Sequence, residues 1–216
     1  MTDTKICGLK DRHALLAALD AGAGYVGLNF YPKTPRFVPP AEAAPLAALA
    51  KGRAKRVGLV VDASDDEIAD ILAAVPLDIL QLHGKETPAR TAAIRDRFGR
   101  PVIKALSVST AAEIAAADAY DAADILLFDA KPPKRSDALP GGNAVSFDWT
   151  ILADPPAKPW MLSGGLTAET VASAIRTARP PAVDVSSGVE RERGVKDASL
   201  IQAFLNAVKA ADQMDA

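Results

Sequence analysis

The sequence predicts an α/β chain folded as a (β/α)8 TIM barrel, one catalytic domain spanning residues 1–216. Three observations predict it. Eight short apolar runs alternate with Ala-rich amphipathic stretches. The runs recur about every 25 residues, the separation a βα unit needs to bring the next strand back parallel. Polar or reactive residues stand at nearly every run's C-terminal end, where a barrel of this kind carries its chemistry. Fewer repeats would favour an open doubly wound sheet, whereas eight favour closure.

In order, the runs are residues 4–7, 25–30, 56–61, 79–82, 102–106, 125–129, 160–163 and 183–186. Each is bounded by Gly, Pro, Asp or Lys and is mostly apolar on both faces. That suits a strand with helices outside and a packed barrel interior within. Between the runs lie helix-start signals. Ser64 and Glu67 form a capping box ahead of Ile68, Ile71 and Leu72. Thr110 with Glu113, and Thr167 with Thr170 and Val171, open similar segments. Asp197 precedes Leu200, Ile201, Phe204 and Leu205, a final amphipathic helix that closes the outer ring. Residues 131–146 form the one long loop, with Pro132-Pro133 and Gly141-Gly142, and read as an active-site loop rather than a domain boundary.

Composition narrows the function classes. With 49% hydrophobic but only 5% aromatic residues, the core is built mainly from Ala, Val, Leu and Ile. A net charge of −2 supplies no concentrated basic face for nucleic acid or an anionic membrane, so neither is expected as a partner. A single cysteine cannot close a disulfide within the chain. No CxxC or Cys/His cluster, and only His13 and His83, argue against a metal. The start of the chain lacks a signal-peptide pattern, and no apolar stretch approaches membrane-spanning length. A cytoplasmic location is expected, as a monomer or homodimer.

The strand ends carry the candidate site residues. Cys7-Gly8 closes the first run, and Cys7 reads either as a small core residue or as a nucleophile or base. Asp129 follows a wholly apolar run and is either a helix cap or a group delivered into the barrel mouth; Pro132-Pro133 speaks against an immediate helix to cap. His83 reads as a hydrogen-bonded wall residue or a substrate contact. Arg36, in a loop stiffened by Pro32 and Pro35, is suited to bidentate capture of a carboxylate or phosphate, or is simply a solvated loop charge. Gly164-Gly165 after the seventh run and Ser186-Ser187-Gly188 after the eighth expose backbone N–H groups at the start of a helix. Together they match the phosphate site common in this architecture.

Read in order, the motifs resemble the phosphoribosylanthranilate isomerase family of tryptophan biosynthesis. They are Lys5-Ile6-Cys7-Gly8, the stretch from Gly27 to Arg36, Gln81-Leu82-His83-Gly84, Phe128-Asp129 and Phe147-Asp148-Trp149. Leu162-Ser163-Gly164-Gly165-Leu166, Val183 to Glu190 and Gly194-Val195-Lys196-Asp197 complete the series. The resemblance implies an Amadori rearrangement of N-(5′-phosphoribosyl)anthranilate with no cofactor. It implies Cys7 as general base, Asp129 as general acid, Arg36 on the anthranilate carboxylate and the two glycine-containing turns on the phosphate. The chain departs from the family at Gly141-Gly142-Asn143-Ala144, where the resemblance leads one to expect Gly-Gly-Thr-Gly or Gly-Gly-Ser-Gly before Phe147-Asp148-Trp149.

This assignment sets a problem of protonation. At neutral pH an ordinary Asp is ionised and an ordinary Cys is a thiol, the reverse of what an acid and a base require. The expectation is that bound substrate raises the Asp129 pKa and that Lys5 or a helix terminus lowers that of Cys7. Two other readings compete. One is another phosphosugar isomerase or epimerase, disfavoured by the absence of a His/Asp metal set and by Cys7 where the histidine-pathway isomerases carry an aspartate. The other is a non-catalytic phosphosugar-binding barrel.

Overall fold

The computed structural model describes residues 1–131, 141–143 and 145–214. Eight parallel strands close into a barrel in sequence order: β1 (Asp3–Cys7), β2 (Tyr25–Asn29), β3 (Lys55–Val60), β4 (Ile79–Leu82), β5 (Val102–Val108), β6 (Ile125–Ala130), β7 (Trp160–Leu162) and β8 (Ala182–Val185). Every expected run became a strand, with ends moved by a residue or two. Around them lie α1 (Arg12–Asp20), α2 (Pro40–Ala50), α3 (Asp65–Ala74), α4 (Pro88–Phe98), the short α5 (Ala111–Ala115), α6 (Val171–Ala178) and α7 (Ala198–Met214).

Local chemistry accounts for the boundaries. Ser64 caps α3, and both halves of the predicted box with Glu67 form. Asp197 accepts from the Ser199 and Leu200 N–H groups at the start of α7. The box expected between Thr110 and Glu113 does not form: Thr110 is the N-cap but makes no side-chain cap, and Glu113 Oε2 accepts the Ser109 N–H at 2.8 Å instead. Between β6 and β7 the described residues hold no α-helix, only a 3₁₀ turn at Trp149–Leu152. A hairpin of β9 (Glu190–Glu192) and β10 (Val195–Lys196) follows β8 and was not anticipated. Residues 132–140 and Ala144, which hold most of the long loop and part of its atypical turn, lie outside the described residues.

Two apolar layers and one polar layer place the site. Between sheet and helices, one large cluster buries Ile6, Leu28, Leu82, Leu126, Phe128 and Phe204 among many others. Inside the barrel, Val57, Ile79, Ile103, Leu127, Met161 and Ala182 fill the interior. Interior positions nearer the C-terminal strand ends are polar: Lys5, Gln81 and Asp184 are all buried there. Polar groups set in an apolar barrel demand partners, and those partners hold the cleft in shape.

One such cluster lies between sheet and helices. Lys104 of β5 donates to the Gly84 carbonyl at 2.8 Å and to Glu86 Oε2 at 2.7 Å, and Glu86 also accepts from the Asp62 and Gly84 N–H groups. Burial would raise the Glu86 pKa, but the Lys104 charge and these hydrogen bonds outweigh it and hold the carboxyl below its usual range. Glu86→Gln leaves Lys104 as an uncompensated buried charge and is expected to cost about 3 kcal/mol of unfolding free energy in a urea titration. Because the folded pKa is depressed, the wild-type contribution is present above the unfolded pKa of about 4.3 and is lost as pH falls through the folded value. The wild-type advantage over the variant should therefore shrink in acid.

Candidate active site

A cleft of about 610 Å³ opens at the C-terminal ends of the strands. Cys7, the last residue of β1, and Asp129, next to last in β6, both line it, together with Arg36, His83, Gly164 and Ser187. The strand-end candidates thus converge on one site.

Beneath Cys7 sits a buried ion pair. Lys5 and Asp184 face each other in the register of β1 and β8, and Lys5 Nζ donates to Asp184 Oδ1 at 2.7 Å. Ser163 Oγ donates to the other carboxylate oxygen at 3.0 Å. Gly27 of β2, opposite Cys7, leaves the space they need. A Cβ there would stand 3.1 Å from Cys7 Sγ and 3.4 Å from Lys5 Nζ. Thiol and ammonium therefore share one small compartment. Burial pushes the Cys7 thiol up, Lys5 pulls it down and Asp184 pushes it up again, leaving it above the ordinary value. Lys5 acts in the expected direction, but desolvation outweighs it: in the unliganded protein Cys7 is a thiol.

Asp129 Oδ1 accepts the Ala130 N–H at 2.8 Å, which fixes the carboxylate plane. His83 Nε2 stands 3.5 Å from Asp129 Oδ2 and has no hydrogen-bond partner among the described residues. The other ring nitrogen, Nδ1, lies 2.9 Å from Gln81 Nε2. With the Gln81 amide as donor, the imidazole carries its proton on Nε2, facing Asp129. Gly141 closes over the pair, since a Cβ there would fall 2.5 Å from His83 Nε2 and 2.8 Å from Asp129 Oδ2.

Arg36 is not a solvated loop charge. It is 3% exposed, and its stem crosses Gly8, immediately after Cys7. Nε donates to Glu190 Oε1 at 2.7 Å and Nη2 to Glu190 Oε2 at 2.9 Å. Glu190 in turn is bridged by Lys196, which donates to Glu190 Oε1 at 2.8 Å and to the Ser186 carbonyl at 2.8 Å. Burial would raise the Glu190 pKa, but the Arg36 fork and Lys196 hold it at about 2.

The two turns differ from their expected form. Gly164 and Gly165 both take left-handed backbone, with φ of 92° and 63°, but α6 starts only at Val171. After β8, Ser187–Val189 is a 3₁₀ turn, and α7 starts only at Ala198. Neither turn is the first turn of an α-helix, so their amides act without a full helix dipole behind them. Gly164, Gly165, Ser186 and Ser187 line the cleft; Gly188 does not, and packs against the Leu166 carbonyl.

Sequence reading gave Lys5 only a pull on the Cys7 pKa and assigned no individual role to Asp184, Gln81, Gly141, Glu190 or Lys196. All but Gly141 stand in the ordered motifs, so position in those motifs was the available signal. Among the described residues, no group of three or more His, Cys, Asp or Glu is placed to hold a metal ion. No helix among them is long and apolar enough to cross a membrane.

The chain as a whole is similar to known proteins in sequence and fold. A protein of Paramagnetospirillum magneticum named N-(5′-phosphoribosyl)anthranilate isomerase is 54% identical over 209 residues, 96% of this chain and 97% of its own. The crystal structure of phosphoribosyl anthranilate isomerase from Thermotoga maritima superposes with a TM-score of 0.87 at 35% identity, covering 97% of this chain and all of that one. A further structure of the isomerase, in complex with reduced 1-(o-carboxyphenylamino)-1-deoxyribulose 5-phosphate, gives a TM-score of 0.83 at 34% identity over 97% of this chain and all of that one. The family profile described as N-(5′phosphoribosyl)anthranilate (PRA) isomerase matches residues 4–207. On fold, motif order and extent of match, the chain belongs to the N-(5′-phosphoribosyl)anthranilate isomerase family.

Proposed function

We infer that this chain catalyses the Amadori rearrangement of N-(5′-phosphoribosyl)anthranilate to 1-(2-carboxyphenylamino)-1-deoxyribulose 5-phosphate, an aldose–ketose isomerisation in tryptophan biosynthesis. One observation carries the reading: Cys7, Asp129, the Arg36 guanidinium and both glycine-containing turns line a single cleft. A proton donor, a proton acceptor and two anion-binding ends are what this substrate requires. Residues 1–216 act as one catalytic domain. A reducing, cytoplasmic location fits a mechanism that needs a free thiol.

Asp129 delivers a proton to the ring oxygen as the C1′–O bond breaks, and the aryl nitrogen lone pair forms the Schiff base. Asp129 is then a carboxylate, and His83 Nε2–H is placed to take up that new charge as the bond opens. The iminium acidifies the C2′ proton, which Cys7 removes to give an enolamine. Gain of a proton at C1′ and loss of one from the C2′ hydroxyl complete the ketose. Both catalysed steps are positioned proton transfers, each worth about 10²–10⁴-fold. Arg36 holds the anthranilate carboxylate and the turns at Gly164-Gly165 and Ser186-Ser187 hold the phosphate, fixing the sugar between acid and base.

A fluorescence assay following loss of phosphoribosylanthranilate, run with chelator and no added metal, tests the reading. Turnover is expected without any addition. Failure to consume substrate at high protein concentration would overturn it.

A further inference from the structure

We propose that Glu190 is a positioning residue for recognition of the substrate's aryl carboxylate: it clamps one edge of the Arg36 guanidinium so that the other edge meets the carboxylate. This rests on the reading of Arg36 as the carboxylate ligand.

The geometry carries it. A carboxylate offers about four lone-pair sites, and Glu190 has four donors on it. They are Arg36 Nε, Arg36 Nη2, Lys196 Nζ and the Gly194 N–H, the last at 3.0 Å. Fully engaged and held at a pKa of about 2, it has no capacity left to accept or donate a proton in the reaction. Its role is therefore to hold.

What it holds is a fork with one edge used. The Nε–Nη2 edge of Arg36 is taken by Glu190, while the remaining Nη2 donor reaches only the Gly142 carbonyl, at 3.2 Å. Nη1 has no acceptor among the described residues, and Arg36 lines the cleft. Guanidinium pairs with carboxylate best through two parallel N–H bonds, so a plane fixed on one edge offers a carboxylate Nη1, and Nη2 once it exchanges its longer contact with the Gly142 carbonyl. Charge points the same way, because Arg36 and Lys196 are two buried cations against one Glu190 anion. The cluster lacks one negative charge, and the anthranilate carboxylate supplies it. Lys196, whose three donors go to Glu190, the Ser186 carbonyl and Ser186 Oγ, ties this clamp to the turn after β8.

The test compares phosphoribosylanthranilate with the N-phenyl phosphoribosylamine that lacks the carboxylate, in wild type and Glu190→Gln. Gln keeps the size but replaces one acceptor by an N–H2 that opposes Arg36 Nη2. The proposal expects KM for the carboxylated substrate to rise about tenfold with kcat within about twofold, and kcat/KM for the phenyl substrate to change less than about twofold. Equal losses on both substrates would reduce Glu190 to a scaffold residue and overturn the proposal. So would tighter binding of the carboxylated substrate, the result expected if only removal of the negative charge mattered. Should Glu190→Gln not be recovered folded, Glu190→Asp, which keeps the charge but cannot span the same fork, carries the same expectation. A wild type that does not distinguish the two substrates removes the Arg36 reading and the clamp with it, while turnover of phosphoribosylanthranilate leaves the isomerase reading standing.

Discussion

Asp129→Asn is expected to lower kcat by about 10³-fold, near 4 kcal/mol of transition-state stabilisation, while a product analogue binds within about twofold of wild type. The substitution is nearly isosteric. Asn can keep its oxygen on the Ala130 N–H, so the β6 end should not move. What is lost is the carboxyl proton assigned to the ring oxygen. Equal losses in binding and turnover would instead make Asp129 structural. Unchanged turnover would remove the acid assignment altogether.

The residual activity of this variant carries a second signature. With the carboxyl gone, the remaining titrating catalytic group of the protein is Cys7, whose thiol burial pushes above its ordinary value. Residual kcat/KM should therefore climb with pH as thiolate forms, and keep climbing past the ordinary thiol pKa of about 8.5. In the wild type an acid that must be protonated and a base that must be deprotonated change in opposite senses with pH. Their product is flatter than either alone. A wild-type profile that rises as steeply as that of Asp129→Asn would mean that Asp129 does not act as the acid.

The barrel was legible because local patterning and topology agree. Eight apolar runs at βα spacing favour closure over an open doubly wound sheet, and eight strands appear where eight runs stood. Where the sequence misled, the cause was local competition or a missing long-range partner. Thr110 holds the N-cap position but leaves its side chain unused, because Glu113 turns back to the Ser109 N–H instead. The turns after β7 and β8 contain the expected glycines, but extra residues separate each from its α-helix. The site shows the same division. Strand-end position identified Cys7 and Asp129, because alternation dictates what points into the mouth, and the Pro-stiffened loop after β2 singled out Arg36. It could not reveal that Arg36 is clamped by a residue 154 positions away, or that Lys5 pairs with one 179 away. No periodicity encodes those pairings; closure of β1 on β8 and the return of the β9–β10 hairpin create them.

Cys7→Ser is expected to lower kcat by about 10³-fold or more, with KM changed by less than about threefold. A serine hydroxyl fits the same space but ionises too weakly to remove the C2′ proton, whereas the thiol needs only to lose its proton to become the base. The structure makes that loss measurable in isolation. Cys7 is the sole cysteine of the chain, so the ultraviolet absorbance of thiolate reports one group and vanishes in Cys7→Ser. Burial sets the direction: the free protein should titrate above the ordinary thiol range, despite the Lys5 ammonium beside Sγ. Lys5→Met removes that ammonium while leaving Asp184 behind, so both changes oppose the thiolate and the titration should move further upward. Activity of Lys5→Met should then fall mainly in kcat, because the compartment under Cys7 does not bind either anionic end of the substrate. A Cys7→Ser protein with full turnover would show that Cys7 is not the base. A thiol that titrates below the ordinary value would show that Lys5, rather than burial, dominates this compartment.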